Sequence, residues 1–403
     1  MTKTFFPTTR PSSAAVPVLD TRAIRAFHQS LPGYAVTPLY SCPLLAERLG
    51  VARVLVKDES KRLGLPSFKM LGASWATATA ISREWLGFAA NPESIAQLKR
   101  DLASTYGRTW RVGRRLVAAT DGNHGRGVAR MARLLRLRCQ IFVPAGTAKS
   151  RIRSIEREGA RVDVVNGTYD DAIARSAEEA SATTLVVSDT SWDGYTETPT
   201  NVINGYSTMF SEIDDQMGLA QPNVVAFQAG VGAFAAAGMM HWANRRKPSD
   251  VTMLAIEPST ANCLMESARA GAITLVPGPH ESTMAGLNCG LPSLIAWPMV
   301  EKFTDGYIAV TDDSTYAAMR LLAECGIVAG ESGAAGLAGL LAVSDPDQRR
   351  HTGLTSDATV LVINTEGATD PLNYRRVTGE TAKGVMRTQR RRQNRTHTIT
   401  VNS

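Results

Sequence analysis

The run Leu116-Val117-Ala118-Ala119-Thr120-Asp121-Gly122-Asn123-His124-Gly125 decides the fold class. Four apolar residues read as a buried strand, two glycines free the backbone for a sharp turn, and the pattern over 125–135 reads as a helix. Such a strand, turn and helix make a βα unit. The helix start leaves backbone N–H groups without intrahelical partners, so the turn suits an anion such as a carboxylate. Asn123 adds a neutral amide that can reach a phenolic or carbonyl oxygen, and Asp121 adds a carboxylate. The structural alternative is that Asp121 only caps the helix.

Outward from this unit the same alternation continues. Candidate strands are Val54-Val56, Leu116-Ala119, Gln140-Val143, Val162-Val165, Leu185-Val187, Val224-Phe227, Met253-Ile256 and Thr359-Ile363. Helical stretches such as 125–135 and 170–180 lie between them. The alternation predicts an α/β fold with largely parallel sheets flanked by helices. Residues 87–114 are charged and poor in turn signals, which predicts a helical excursion rather than a linker.

With 403 residues, 44% of them hydrophobic, the chain can bury a substantial core and form two or three domains. No stretch approaches the roughly 18 uninterrupted apolar residues of a membrane helix. The first residues, Met1 to Pro7, lack the apolar core of a secretory signal. A cytoplasmic protein with no membrane partner is expected. The net charge of +7 is local: residues 375–403 hold eight basic residues and one acid, leaving residues 1–374 formally neutral. A basic tail without apolar periodicity is expected to be a disordered end and not a nucleic-acid-binding element. Five cysteines and six histidines are scattered, with no zinc-type CxxC pair, so no metal centre is expected.

Two further clusters carry chemistry. In Pro66-Ser67-Phe68-Lys69-Met70-Leu71-Gly72-Ala73, Lys69 follows a bulky aromatic at the start of a small-residue helix. Partial desolvation there lowers a lysine pKa and yields a nucleophilic amine of the kind that forms a Schiff base, although a lysine near a helix start, taken alone, reads as a solvated surface group. Gly230-Val231-Gly232-Ala233 lies between the strand Val224-Phe227 and an alanine-rich helix, where glycine lets several N–H groups converge on a phosphate. Gly230, Gly232 and Ala235 also satisfy a GxGxxA dinucleotide pattern, with Glu257 at the place of a ribose-binding acid. A dehydrogenase, however, would leave Lys69 and the Asn123 turn unexplained.

In this order the three clusters resemble the fold type II, tryptophan-synthase-like pyridoxal-phosphate (PLP) enzymes. The narrower resemblance is to the diaminopropionate ammonia-lyase family. It rests on Lys57-Asp58-Glu59-Ser60, Phe68-Lys69-Met70-Leu71-Gly72, Thr120-Asp121-Gly122-Asn123-His124-Gly125-Arg126, Asp189-Thr190-Ser191-Trp192-Asp193-Gly194-Tyr195, Met284-Ala285-Gly286-Leu287-Asn288-Cys289-Gly290, Glu331-Ser332-Gly333-Ala334-Ala335-Gly336 and Thr365-Glu366-Gly367-Ala368-Thr369-Asp370-Pro371. Serine and threonine dehydratases generally carry Ser where this chain has Asp121; those enzymes and the β-replacement synthases are the alternative.

The resemblance implies a large lobe of residues 1–85 plus 201–374, a small lobe of 86–200, a cleft between them, and a homodimer. It implies pyridoxal 5'-phosphate held by Lys69, with Asn123 at its phenolic oxygen, Gly230, Val231, Gly232 and Ala233 at its phosphate, and Thr365 at its ring nitrogen. It also implies that Thr120, Asp121 and His124 contact a small amino-acid substrate. The implied reaction is α,β-elimination of 2,3-diaminopropionate to pyruvate and two ammonia, with Asp189 the base for one enantiomer and Asp121 for the other. Without the resemblance, Asp189 reads as a turn residue. The segment 271–282 is expected to be a mobile loop. By resemblance Cys263 and Cys289 on its flanks meet near the cleft, where a bridge closing about 25 residues would be worth ~3 kcal/mol; the alternative, which a cytosolic setting favours, is two reduced, buried cysteines.

Overall fold

The computed structural model describes residues 4–8, 19–244 and 251–387. Among these residues the strands are β1 (Phe5–Pro7), β2 (Leu39–Ser41), β3 (Arg53–Asp58), β4 (Arg115–Ala119), β5 (Arg138–Pro144), β6 (Arg161–Val165), β7 (Thr184–Val186), β8 (Val224–Gln228), β9 (Thr252–Pro258), β10 (Gly306–Val310) and β11 (Thr359–Asn364). They form two sheets. The larger runs β1-β10-β9-β8-β11-β3-β2, parallel except where β1 and β2 pair antiparallel at its edges. The smaller, β6-β5-β4-β7, is wholly parallel. Every residue of β8 and of β10 is buried, as expected when helices cover both faces of a parallel sheet.

All eight predicted strands are present, and three were not foreseen. β1 and β2 are three-residue edge strands, too short to show a period. β10 is a five-residue run with no polar alternation, and a short apolar run of that kind cannot be told from a buried helix segment by its period. The helix expected from 170 begins at Tyr169, because Thr168 and Asp171 close a capping box there. The excursion at 87–114 contains the helix Ile95–Tyr106, which buries Ile95, Leu98 and Leu102. The tail expected to be disordered from 375 is ordered at its start. Arg375 and Arg376 lie in the helix Pro371–Thr378, which is held by buried Tyr374 and Val377, and Val385 is also buried. The remainder of that prediction, 388–403, lies outside the described residues. Among the described residues no helix is long and apolar enough to cross a membrane.

One helix positions the site. Lys69–Ala80 is buried on every side from Met70 onward, and its small residues let neighbouring backbones come close. A Cβ on Gly72 would lie 2.6 Å from the Tyr206 ring, and one on Gly205 would lie 2.7 Å from the Leu71 carbonyl oxygen. From the other side, a Cβ on Gly127 would lie 2.8 Å from that of Ala73. The helix is thereby clamped between Glu197–Gly205 and Asn123–Leu135, the helix that follows β4.

Beneath its first turn lies a closed ionic cluster. Lys57 Nζ donates to Glu212 at 2.9 Å, to the Thr37 carbonyl at 2.8 Å and to Gln216 at 2.8 Å. Arg62 pairs with Glu59 at 2.6 Å and with Glu212 at 2.7 Å, all four charged side chains having no exposure. Burial opposes the Glu212 charge, but Arg62 and Lys57 bring its carboxyl down to about 2.

Candidate active site

Residues 66–68 run beside 365–367. Phe68 N–H donates to the Thr365 carbonyl at 3.2 Å, Gly367 N–H donates to that of Pro66 at 2.9 Å, and Ser67 bridges to Glu366. This pairing delivers Lys69 to the rim of a cavity whose walls include Asp121, Asn123, Asp189, the 230–233 loop and Thr365. Of the residues singled out in the sequence, Lys69, Asp121, Asn123, Asp189, Gly230, Val231, Gly232, Ala233, Thr365 and Cys289 line this one space.

Lys69 Nζ donates to Asp189 Oδ2 at 2.6 Å, and Tyr169 O–H donates to Asp189 Oδ1 at 2.8 Å. Burial would lower the Lys69 amine, but the adjacent Asp189 carboxylate outweighs it, so the amine is held above its ordinary value. This overturns the lowered pKa expected from the sequence: the decisive neighbour is an anion, brought in from a segment 120 residues away. Burial likewise opposes the Asp189 charge, and Lys69 holds that carboxyl well below the usual range. Asp189 sits in a bend after β7, and there it is a buried, paired carboxylate.

Asp121 differs. The helix Asn123–Leu135 has Gly122 at its N-cap with no side-chain cap, so Asp121 is not spent on capping. It faces the cavity, and burial pushes its carboxyl up to about 6 against the pull of Arg151 and Lys69. A second space adjoins the first and shares Asp121 and Tyr169 with it.

Thr120 and His124 sit behind the wall rather than on it. Thr120 is buried, and its hydroxyl accepts the Gly122 N–H at 2.9 Å, which fixes the turn. His124 Nε2 lies 2.7 Å from the Val187 carbonyl oxygen, and its Nδ1 lies 3.9 Å from Asp189 Oδ2. Burial keeps the imidazole below its usual pKa, so the ring steadies the Asp189 region as a neutral group.

The glycine loop fits an anion. Gly232 has φ +95°, and a Cβ on Gly230 would come within 2.9 Å of Cys289 Sγ, so neither position accepts a side chain freely. The helix Ala233–Ala243 starts at this loop and points its unsatisfied first amides at the cavity. Glu257 rules out the dinucleotide reading: it is buried, and its two oxygens accept the Leu264 and Met265 amides at 2.8 Å each. At the far end, Thr365 Oγ1 accepts from Gln228 Nε2 at 2.9 Å, which leaves its own hydrogen free to donate into the cavity. The residues present therefore fit a phosphorylated pyridine: amides for the phosphate, a hydroxyl for the ring nitrogen and an amine between them.

With that geometry in view, the comparison with known proteins is direct. Residues 31–366 match the family model described as pyridoxal-phosphate dependent enzyme. The chain belongs to this family. It is 37% identical over 375 residues to the diaminopropionate ammonia-lyase of Escherichia coli strain K12, covering 88% of this chain and 90% of that one. The enzyme of the same name from Salmonella typhimurium is 35% identical, covering 87% of this chain and 90% of its own. The crystal structure of the Escherichia coli enzyme in complex with D-serine superposes with a TM-score of 0.82 at 33% identity, covering 93% of this chain and 96% of that one. Within the PLP-dependent enzymes, then, the chain is a member of the diaminopropionate ammonia-lyase family with the fold type II architecture.

Sequence reasoning gave no role to Tyr169, Gln228, Ser332 or Glu366, all of which line the cavity. The capping box that fixes the start of the helix Tyr169–Ala177 was the available signal for Tyr169. Cys263 and Cys289 are unbridged, buried thiols close enough to influence each other, which matches the reduced alternative rather than the bridge. Cys263 donates to the Gly230 carbonyl at 3.7 Å, Cys289 faces the cavity, and burial holds both in the protonated form that does not attack a disulfide. The segment 271–282 has no helix or strand, but it is tied down by Thr274 N–H to Ser267 at 2.8 Å and by Val276 N–H to Gly290 at 2.9 Å.

Proposed function

We propose that this chain catalyses the α,β-elimination of 2,3-diaminopropionate to pyruvate and two ammonia, with Lys69 holding the cofactor. The observation that carries the reading is the meeting of Lys69 with two carboxylates of opposite character, Asp189 paired to it and Asp121 unspent, on one cavity. Bound PLP supplies the electron sink that stabilises the charge left when Cα loses its proton. The protein supplies the rest. Gly230 to Ala233 hold the phosphate, Asn123 the phenolic oxygen, and Thr365 donates to the ring nitrogen, which keeps that nitrogen unprotonated and favours elimination.

Asp121 accepts the Cα proton of one enantiomer and Asp189 that of the other. The β-ammonium then leaves as ammonia, and hydrolysis of the released enamine yields pyruvate and the second ammonia. Thr120 and His124 act at the substrate through the turn and through Asp189. A substrate with two amino groups suits a cavity in which carboxylates outnumber cations.

We further propose lobes at 1–85 plus 201–374 and at 86–200, a homodimer, and a cytoplasmic role in amino-acid breakdown. Unbridged cysteines support a reducing compartment. The test is pyruvate release from both enantiomers of diaminopropionate and of serine. Diaminopropionate is expected to be the better substrate; faster turnover of serine overturns the assignment in favour of a dehydratase.

A further inference from the structure

Glu366 is 2% exposed yet lines the cavity. Both of its oxygens are engaged. Oε1 accepts the Ser332 amide at 3.1 Å, at the start of the helix Glu331–Ala342. Oε2 accepts the side-chain amide of Asn123 and, at 3.3 Å, the Thr369 hydroxyl. The Glu366 backbone bridges to Ser67, and its carbonyl accepts Gly330 N–H at 2.9 Å. Packing leaves no room to move: a Cβ on Gly330 would lie 3.1 Å from Oε1, and one on Gly333 would lie 2.5 Å from the Glu366 carbonyl oxygen. Three distant segments that build the site, 66–69, 120–124 and 330–333, therefore converge on this one residue, the last two on its carboxylate.

The chemistry of this contact is directional. A primary amide has two ends of nearly equal shape, one donating and one accepting, and an ionised carboxylate can only accept. Beside Glu366, Asn123 must turn its Nδ2 inward, and the hydrogen bond is charge-assisted.

We propose that Glu366 is a positioning residue that locks the Asn123 amide in one orientation, so that its second N–H is presented to the phenolic oxygen of the cofactor. The inference rests on the reading of Asn123 given above. A residue that fixes a ligand-contacting group from behind controls binding and electronics without touching the ligand.

The experiment uses the full-length holoenzyme and Glu366→Gln, which keeps the shape but offers an NH₂ where Asn123 needs an acceptor. Three quantities are read without substrate: the visible absorbance spectrum of bound PLP and its pH titration, the dissociation constant for PLP, and the melting temperature of the PLP-free chain. Glu366→Gln is expected to shift the absorbance titration and to weaken PLP binding about 10- to 100-fold, on the scale known for outer-shell partners. In an Asn123→Ala background the same substitution should change either quantity less than about 2-fold, because coupled positions are not additive.

An unchanged spectrum, or equal effects in both backgrounds, overturns the assignment. So does a fall in melting temperature with no spectral change, since that marks a merely structural residue. If Glu366→Gln does not fold, Glu366→Asp read in the same two backgrounds decides by the same criterion. Because no substrate enters, a wrong assignment of diaminopropionate would leave these outcomes untouched.

Discussion

Two groups of buried charge lie at the two ends of the segment that leads into Lys69, and they are built differently. Around Lys57, two cations face two carboxylates, all four side chains are closed off from solvent, and the donors on Lys57 and Arg62 are matched by acceptors. Around Lys69, one cation shares an open cavity with Asp121, Asp189 and Glu366. The first group is neutral and finished. The second has surplus negative charge and free space, and its members are pulled in opposite directions, Asp189 well down and Asp121 up to about 6. Burial of charge therefore does not mark a site by itself; imbalance beside a cavity does.

The largest expected effect separates the two lysines. Lys69→Ala should abolish turnover, because the amine that holds the cofactor is lost. Borohydride reduction of the wild-type holoenzyme should attach the cofactor to a peptide containing Lys69. Recovery of the label on Lys57 would collapse the distinction between the groups.

Next come the two carboxylates of the open group. Asp121→Asn and Asp189→Asn should each cost roughly 10²–10⁴-fold on one enantiomer of diaminopropionate, the usual contribution of a placed base, and much less on the other. Their pH profiles should differ too. A base with a raised pKa is lost as pH falls through that value, so kcat/KM for the Asp121-dependent enantiomer should drop below pH about 6. The Asp189-dependent enantiomer should hold to lower pH, because Asp189 is kept well below the usual carboxylate range. Coincident acid limbs, or equal losses on both enantiomers, would mean the two carboxylates share one role.

A smaller effect is expected in the closed group. Glu212→Ala leaves Lys57 and Arg62 short of a partner and should cost about 3–5 kcal/mol of stability by urea unfolding. The folded fraction should keep its preference between enantiomers, and a changed preference would tie the closed group to the chemistry.

What could be read from the sequence follows from range. The unit from Leu116 to Leu135 is local, so its strand, turn and helix were all visible, whereas Lys69 and the 230–233 loop gained their meaning only when the clusters were taken together. Asp189 could be placed only by resemblance, since nothing near Ser188 or Thr190 tells that Lys69 will lie 2.6 Å away. The expectation of a lowered Lys69 pKa failed for that same reason. Tyr169 and Glu366 were passed over because their partners, Asp189 and Asn123, lie 20 and 243 residues away in the chain. β10 was hidden because its five residues are all buried and show no alternation.

The clamping of the helix Lys69–Ala80 has a consequence for what counts as part of the active site. Gly127 meets it near the Met70 Cα at 3.4 Å and the Lys69 carbonyl oxygen at 3.6 Å, and Gly205 meets the Leu71 carbonyl from another side, each distance taken from where a Cβ would stand. The backbone that carries the reactive amine thus takes its position from close contacts at glycines, and Asp189 holds the amine at the end of the side chain. A methyl group at 127 or 205 would act as a wedge, sliding the whole rod and the amine with it, and misplacement by about 1 Å can cost on the order of 10²-fold in rate. Two residues with no functional group, outside the cavity wall, set the alignment of the chemistry as firmly as the carboxylates within it.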